Sequence, residues 1–253
     1  MIVLFTDYGI ADPYVGQLHG VLAHEAPGIP VVDLLHTVPN FDIRAGAYLL
    51  AALAQPFPAA TVFVCVVDPG VGGSRAPVMV KADERWYVGP DNGLLAVLAR
   101  RAKRLESYTI HWRPAQLAPS FHGRDLFAPV AARLARGEQP AAAPAPLTVP
   151  DWPQDLAQVL YIDHYGNAVT GLRAEALTPQ RRLRVGRTVL SHARVFDDAP
   201  RGRPFWYANS NGLVELALRQ GSAARRLRLR VGTLVHVLEQ KKSTGRGGAA
   251  RRA

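Results

Sequence analysis

One cysteine in 253 residues leaves no disulfide framework available to stabilise the chain. Cys65 sits inside the apolar run TVFVCVV, so the sequence reads it as a buried strand residue in a reducing compartment. No window approaches the ~18 apolar residues of a membrane helix, and no basic segment precedes the apolar opening MIVLFTDYG. Those two absences argue against a helical anchor or secretory leader, and the expected location is the cytoplasm. Paired metal-ligand spacings of the His-x-x-x-His or Cys-x-x-Cys kind are missing, so no metal site is expected. Internal repeats are missing too.

What the chain has in excess is positive charge, net +10, but the excess is local. Residues 181–253 hold 17 Lys or Arg against 4 Asp or Glu, whereas residues 1–180 hold 13 against 16. Part of the excess is the tail QKKSTGRGGAARRA, whose composition cannot bury a core and reads as disordered. The rest, such as ARRLRLRVG, alternates as a half-exposed strand with arginines on its wet face would. A nucleic-acid patch is the competing reading of those arginines, and the less favoured one.

The first 136 residues alternate apolar runs (MIVLF, IPVVDL, TVFVCVV, APVMVKA) with helical patterns (YVGQLHGVLAHEA, DIRAGAYLLAALAQ, GLLAVLARRA, RDLFAPVAARLARG). That alternation predicts an α/β domain with a central, mostly parallel sheet over residues 1–136. The Pro- and Ala-rich stretch 137–153 reads as a linker. Short β-rich runs separated by Gly, Asn or Pro turns predict a smaller all-β, barrel-like domain over 154–240, with a disordered basic tail over 241–253.

Four loops carry more polar function than a turn requires: FTDYGIADPYVG with Asp7 and Asp12, VVDPGVGGSR with Asp68 and Arg75, PSFHGRD with His122, and IDHYGNAVTG with Asp163 and Asn167. Ligands of open α/β sheets bind beyond the carboxyl ends of strands, where Asp7 and Asp68 both fall. Each loop also has a plain explanation. Asp7 and Asp12 suit the cap of a helix starting near Tyr14; DPGVGG suits a tight turn and lacks the Gly-Lys-Ser/Thr of a phosphate-binding loop; a histidine at a helix start is commonly structural.

Taken together the blocks FTDYG, VVDPGVGGSR, PDNGL, FHGRDLFAP, DHYGN and NSNGLVELA resemble, in order and across residues 2 to about 238, the S-adenosyl-L-methionine hydroxide adenosyltransferase family, water-using relatives of the fluorinase and chlorinase. The resemblance implies attack of water on the 5′ carbon of S-adenosylmethionine, giving adenosine and methionine, with no cofactor beyond the substrate. It implies that Asp68, Arg75 and His122 handle the water, and that Asp7 holds the ribose hydroxyls. Asp12 and Asp163 would face the methionine ammonium, and Ser210 with the backbone near Asn211 its carboxylate. Tyr165, Asn167 and Phe196 would frame the adenine. The family's arrangement further implies a homotrimer, with each site between one subunit's N-terminal domain and its neighbour's C-terminal domain. Gly171 and Arg219 depart from what relatives often carry, on the adenine side.

The residue types suit that chemistry on their own terms. Sulfonium is an activated leaving group, so the task is to relieve the attacking water of positive charge. A histidine with an ordinary pKa near ~6.5 accepts protons at neutral pH. An aspartate orients it, and an arginine, charged at any working pH, holds the aspartate bidentately. A halide-using enzyme on the same fold is the alternative, but a carboxylate ~4 Å from the nucleophile would repel an anion by ~1 to ~4 kcal/mol, which favours water.

Overall fold

The computed structural model describes residues 1–239, so the basic tail expected over 241–253 lies outside the described residues. Two compact units divide the chain: Met1–Leu156 with Ser210–Leu213, and Ala157–Asn209 with the residues from Val214 onward.

The first unit is built on a seven-stranded sheet. Strands β1 (Ile2–Thr6), β2 (Val31–Leu35), β3 (Val62–Val66), β4 (Pro77–Ala82), β5 (Arg85–Pro90), β6 (Leu105–Ile110) and β7 (Ala142–Pro144) lie in the order β2-β1-β3-β5-β4-β6-β7. The β2/β1, β1/β3 and β3/β5 pairs are parallel, and the β5/β4, β4/β6 and β6/β7 pairs antiparallel. The sheet is therefore mixed, which corrects the expectation of a mostly parallel one. Asp83, at φ 54°, and Glu84 turn β4 back onto β5 as a hairpin, and no crossover helix intervenes.

Helices α1 (Pro13–Glu25), α2 (Ile43–Leu53), α3 (Ala96–Arg101) and α4 (Ala128–Ala135) cover the sheet, α1 against α4 and α2 against α3. β1 and β3 are buried along their whole length, as strands covered on both faces must be, and this is why they read as continuous apolar runs. The core joins Leu4, Val64 and Val88 of the sheet to Leu18 and Leu22 of α1 and Phe127 and Val130 of the α4 segment. The stretch expected as a linker belongs to this unit: β7 pairs with β6, Thr148 is held by both oxygens of Asp91, and Tyr48 Oη donates to the Pro153 carbonyl.

The second unit holds another seven-stranded sheet, from β8 (Leu156–Ile162), β9 (Ala168–Arg173), β10 (Arg182–Val185), β11 (Thr188–His192), β12 (Phe205–Ala208), β13 (Leu213–Ala217) and β14 (His236–Leu238), in the order β14-β10-β11-β12-β13-β9-β8. The residues leading into β14 reach back to the opposite edge strand, with Val159 N–H donating to Thr233 and Val235 N–H to Ala157, both at 2.9 Å. The sheet thus curls toward closure around Trp206, Val159, Leu183 and Leu216. It is not all-β. The arginine-rich segment expected as a strand, 224–232, begins within helix α5 (Ala223–Leu227), capped by Ser222 Oγ on Arg225 N and ended by Arg228 in the left-handed conformation, and continues as turn and irregular chain.

Candidate active site

In the first unit the order of strands reverses beside β1 and β3, and the loops leaving their carboxyl ends carry Asp7 and Asp68. Thr6 and Val66 are direct neighbours in the parallel ladder, and Asp7 N–H donates to the Val66 carbonyl at 3.2 Å. Asp7 and Asp68, far apart in sequence, therefore line one pocket, and Arg75 and His122, both further along the chain, join Asp68 there. Asn92 of the PDNGL block supports this point from behind, its Nδ2 donating to the Val67 carbonyl at 2.9 Å.

Asp68, Arg75 and His122 form one contiguous unit. Arg75 Nε lies 3.1 Å from each Asp68 oxygen, and Nη2 donates to Oδ2 as well. Nη2 also reaches His122 Nδ1 at 2.9 Å. The Asp68 side chain is 4% exposed and that of Arg75 10%, so the pair is buried with its partner charge in place. A guanidinium only donates, hence Nδ1 of His122 accepts and the ring proton belongs on Nε2. Burial and then the Arg75 charge hold the His122 pKa below its usual 6.5. The imidazole is neutral at physiological pH.

Glycines and a helical irregularity make the meeting possible. Gly72 has φ 78°, and a side chain there would begin 2.5 Å from the Pro119 carbonyl, so the DPGVGG turn closes tightly on the PSFHG loop. That is the plain turn reading of these glycines, with a packing purpose. His122 precedes a π-helical turn, Gly123–Phe127, that runs into α4. Such turns insert a residue into a helix and recur at functional sites. A Cβ on Gly123 would lie 2.1 Å from Tyr8 Oη.

A cavity of about 350 Å³ opens over this unit, lined by Asp7, Tyr8, Phe41, Asp68, Phe121 and His122 among others. Tyr8, Tyr14 and Phe121 pack edge-to-face or tilted at ring separations of 5.4 to 5.7 Å, forming its aromatic wall. Asp7 accepts from Phe41 N at 3.1 Å; burial raises its pKa, and that hydrogen bond offsets part of the rise. Phe41 itself has φ 64° and is 71% exposed, an uncommon combination for an aromatic residue. Asp12 stands at the N-cap of α1 without using its carboxylate as a cap, is exposed, and does not line this cavity.

The second unit has its own cavity, of about 840 Å³, and Asp163, Tyr165, Asn167 and Phe196 all line it. Asn167 is buried and fixed on Asp163, main-chain N to Oδ1 at 2.8 Å and Nδ2 to Oδ2 at 3.0 Å. A Cβ on Gly166, at φ 84°, would meet Ser222 Oγ at 2.0 Å, which brings the DHYGN loop onto the start of α5. Phe196 stacks edge-on with Phe205 and Tyr207, leaving part of its ring exposed. Arg219, one of the departures seen in sequence, is spent on Asp197 and lies outside the lining. Ser210 and Asn211 line neither cavity.

Sequence reasoning thus assembled the first cavity's polar floor but missed Tyr8 and Phe41. Tyr8 stood within the quoted FTDYG block, where its packing role has no pattern of its own. Phe41 offered no signal, because its distinction is a backbone angle.

Comparison with known proteins adds five findings. Residues 2–143 match the SAM hydroxide adenosyltransferase N-terminal domain, and residues 157–236 the corresponding C-terminal domain. A protein of Salinispora arenicola named (R)-S-adenosyl-L-methionine hydrolase is 43% identical over 251 residues, covering 92% of this chain and 95% of that one. A protein of the same name from Thermus thermophilus is 38% identical over 260 residues, covering 94% and 99%. The crystal structure of an uncharacterized conserved protein from Thermotoga maritima superposes with a TM-score of 0.85 at 29% identity, covering 94% of this chain and all of that one. Proteins named fluorinase are more distant, at 26 to 28% identity.

Proposed function

The chain belongs to the SAM hydroxide adenosyltransferase family, and from that membership we infer its activity: it hydrolyses S-adenosyl-L-methionine to adenosine and L-methionine. The identity to named hydrolases over nearly the whole of both chains carries this reading. Water attacks the 5′ carbon, the C5′–O bond forms as the C5′–S bond breaks, the bonding pair returns to sulfur, and one proton leaves.

We assign the roles of individual residues on the support of the first cavity's geometry. Asp68 and His122 line it, while Arg75 lies behind them and ties one to the other. With Nδ1 engaged by Arg75, His122 presents an Nε2–H donor, which holds the water by its oxygen rather than stripping its proton. Asp68, whose oxygens keep lone pairs beyond those used by Arg75, is the group left to take the proton as the new bond forms. A strong base is unnecessary, because attack on a sulfonium substrate leaves the water to lose its proton late. Holding the oxygen in line contributes on the order of several kcal/mol by positioning alone. Asp7 accepts from the ribose hydroxyls, its half-buried carboxylate being directed by Phe41. No cofactor enters this scheme.

Tyr165, Phe196 and Asn167 supply an aromatic and amide frame for adenine in the second cavity, with Asp163 a partner for an ammonium group. Asp12, Ser210 and Asn211 line neither cavity, so we keep them as contacts to the methionine end only in an assembled oligomer. Exposed apolar residues at the first cavity (Tyr14, Phe41, Val71) and at the second (Tyr165, Phe196) support association of copies, and the reading we favour is a homotrimer whose sites pair the first unit of one subunit with the second unit of its neighbour. No helix among the described residues is long and apolar enough to cross a membrane. A cytoplasmic location accords with the lone buried Cys65.

The decisive experiment is turnover in water enriched in heavy oxygen. Label is expected in the adenosine 5′-hydroxyl; its absence there, with methionine still released, would refute attack of water at the 5′ carbon. Light scattering that found a fully active monomer would refute the shared site.

A further inference from the structure

Strand β13 carries a carboxylate where an apolar residue would cost less. Glu215 is 5% exposed. One of its oxygens accepts from Tyr207 Oη at 2.7 Å and the other from Asn209 Nδ2 at 2.9 Å. Tyr207 stands directly opposite it in the β12/β13 ladder. Both donors are neutral, and among the described residues no lysine, arginine or histidine forms an ion pair with Glu215. Its neighbours along the strand, Val214 and Leu216, are fully buried core residues. Burying a carboxylate that has hydrogen bonds but no counter-charge is expensive, and the hydrogen bonds answer only part of that cost.

The missing cation has an obvious point of entry. Tyr207 is part of the wall of the larger cavity, together with Asp163, Phe196 and Asn167, and Arg225 and His164 are the basic side chains among the lining residues. Arg219, the other guanidinium on this side, is committed to Asp197. Burial first, then Glu215 and Asp163, push the Tyr207 phenol well above its usual value, so both carboxylates act on the wall at this point. At Tyr207 the wall feels Asp163 in front and Glu215 behind the phenol ring, while Arg225 and His164 line other parts of the cavity.

We propose that Glu215 is a specificity-determining residue whose uncompensated charge makes the cavity favour a cationic ligand over a neutral one. The proposal rests on reading this cavity as part of the substrate site. S-adenosylmethionine enters with a sulfonium and an ammonium against one carboxylate, and is a cation overall. Cleavage of the C5′–S bond returns the bonding pair to sulfur and the released proton to solvent, leaving a neutral nucleoside and a zwitterionic amino acid. The residue that helps to draw substrate in has no hold on either product. Glu215 therefore biases each turnover toward release without touching the reacting atoms.

The test is calorimetric binding of two ligands that cannot turn over: sinefungin, which carries a protonated amine in place of the sulfonium, and adenosine, which is neutral. Glu215→Gln is expected to weaken sinefungin about tenfold while adenosine stays within about twofold, since a single charge at this range is worth about that much. Equal loss for both ligands, or none for either, would overturn the proposal, because a merely structural Glu215 acts through the shape of the wall and moves both. Should Glu215→Gln fold poorly, Glu215→Met with Tyr207→Phe removes the carboxylate together with one of its two donors and reads the same contrast. Tyr165→Ala and Phe196→Ala probe the premise separately. If neither weakens adenosine, the cavity is not the nucleobase pocket, and the proposal falls with that reading and not through Glu215.

Discussion

Replacing Arg75 by lysine keeps the charge and removes the fork, which isolates what the geometry contributes. Arg75 makes three nitrogen-to-oxygen contacts with Asp68 and one hydrogen bond to His122, from two nitrogens. A lysine brings one compact ammonium, able to meet one Asp68 oxygen but not to span to the imidazole as well. Its pairing with Asp68 survives, so the several-kcal/mol cost of an orphaned buried carboxylate is avoided and the fold persists. What goes is the second carboxylate contact and the donor that fixes the His122 tautomer. Charge-assisted hydrogen bonds contribute about 1.5 to 3 kcal/mol each, so losing two of them removes at least about 3 kcal/mol of transition-state stabilisation. At 1.36 kcal/mol per factor of ten, kcat/KM for S-adenosylmethionine should fall by roughly 10²-fold or more. Chromatographic assay of adenosine formation gives the rate, and calorimetric binding of adenosine gives the control, which should hardly change. Activity within about fivefold of the unaltered protein would refute the view that Arg75 acts as a fork holding Asp68 and His122 in register.

Gly123→Ala places a methyl group 2.1 Å from Tyr8 Oη, in a ring cluster with Tyr14 and Phe121, so activity should drop strongly, and Tyr8→Phe in the same chain should recover part of it. The pH profile of kcat/KM should stay level through neutrality and fall on the acid side only below 6.5, because the depressed His122 pKa keeps the ring neutral until then; protonation of Nδ1 expels Arg75, and any stability that the neutral ring contributes is present above 6.5 and lost as pH falls through the lowered value. In concentrated chloride no 5′-chloro-adenosine should form, whereas Asp68→Asn, by removing a carboxylate that repels an anion by ~1 to ~4 kcal/mol, should lose hydrolysis and gain chloride affinity; substantial chlorinated product from the unaltered protein would refute the preference for water.

Much of the architecture was legible because apolar runs and helical spacing report burial, and β1 to β4 and α1 to α4 are elements whose burial is simple. β5, RWYVGP, was missed because it begins with an arginine and two aromatics and follows the turn at Asp83 and Glu84. β6, LESYTI, exposes its first half, and β7 is three residues at a sheet edge, where composition leaves no imprint. These omissions hid the antiparallel half of the first sheet. The Arg-rich segment misled for the opposite reason: alternation suggested a strand, and the Ser222 cap made a short helix. In the candidate site, the carboxylate, guanidinium and imidazole that meet were readable from residue type and loop position. Glu215 was not, since one acidic letter inside LVELA looks like a solvent-facing residue until burial is known.

The π-helical turn at Gly123–Phe127 fixes an angular phase as well as a place. Successive residues of a regular helix are offset by about 100°, so a turn with one residue too many retards everything on its N-terminal side by that angle relative to α4. α4 is anchored by Val130, Ala131 and Leu134 in the core and cannot rotate in compensation. Deleting Leu126 from the turn would leave the net charge and every lining side chain of the cavity in the chain, yet swing His122 about a quarter of a revolution away from Arg75. The place of His122 beside Arg75 is in this sense kept by a count of residues, and a shortened relative could retain all the recognisable letters of the motif while having lost that contact.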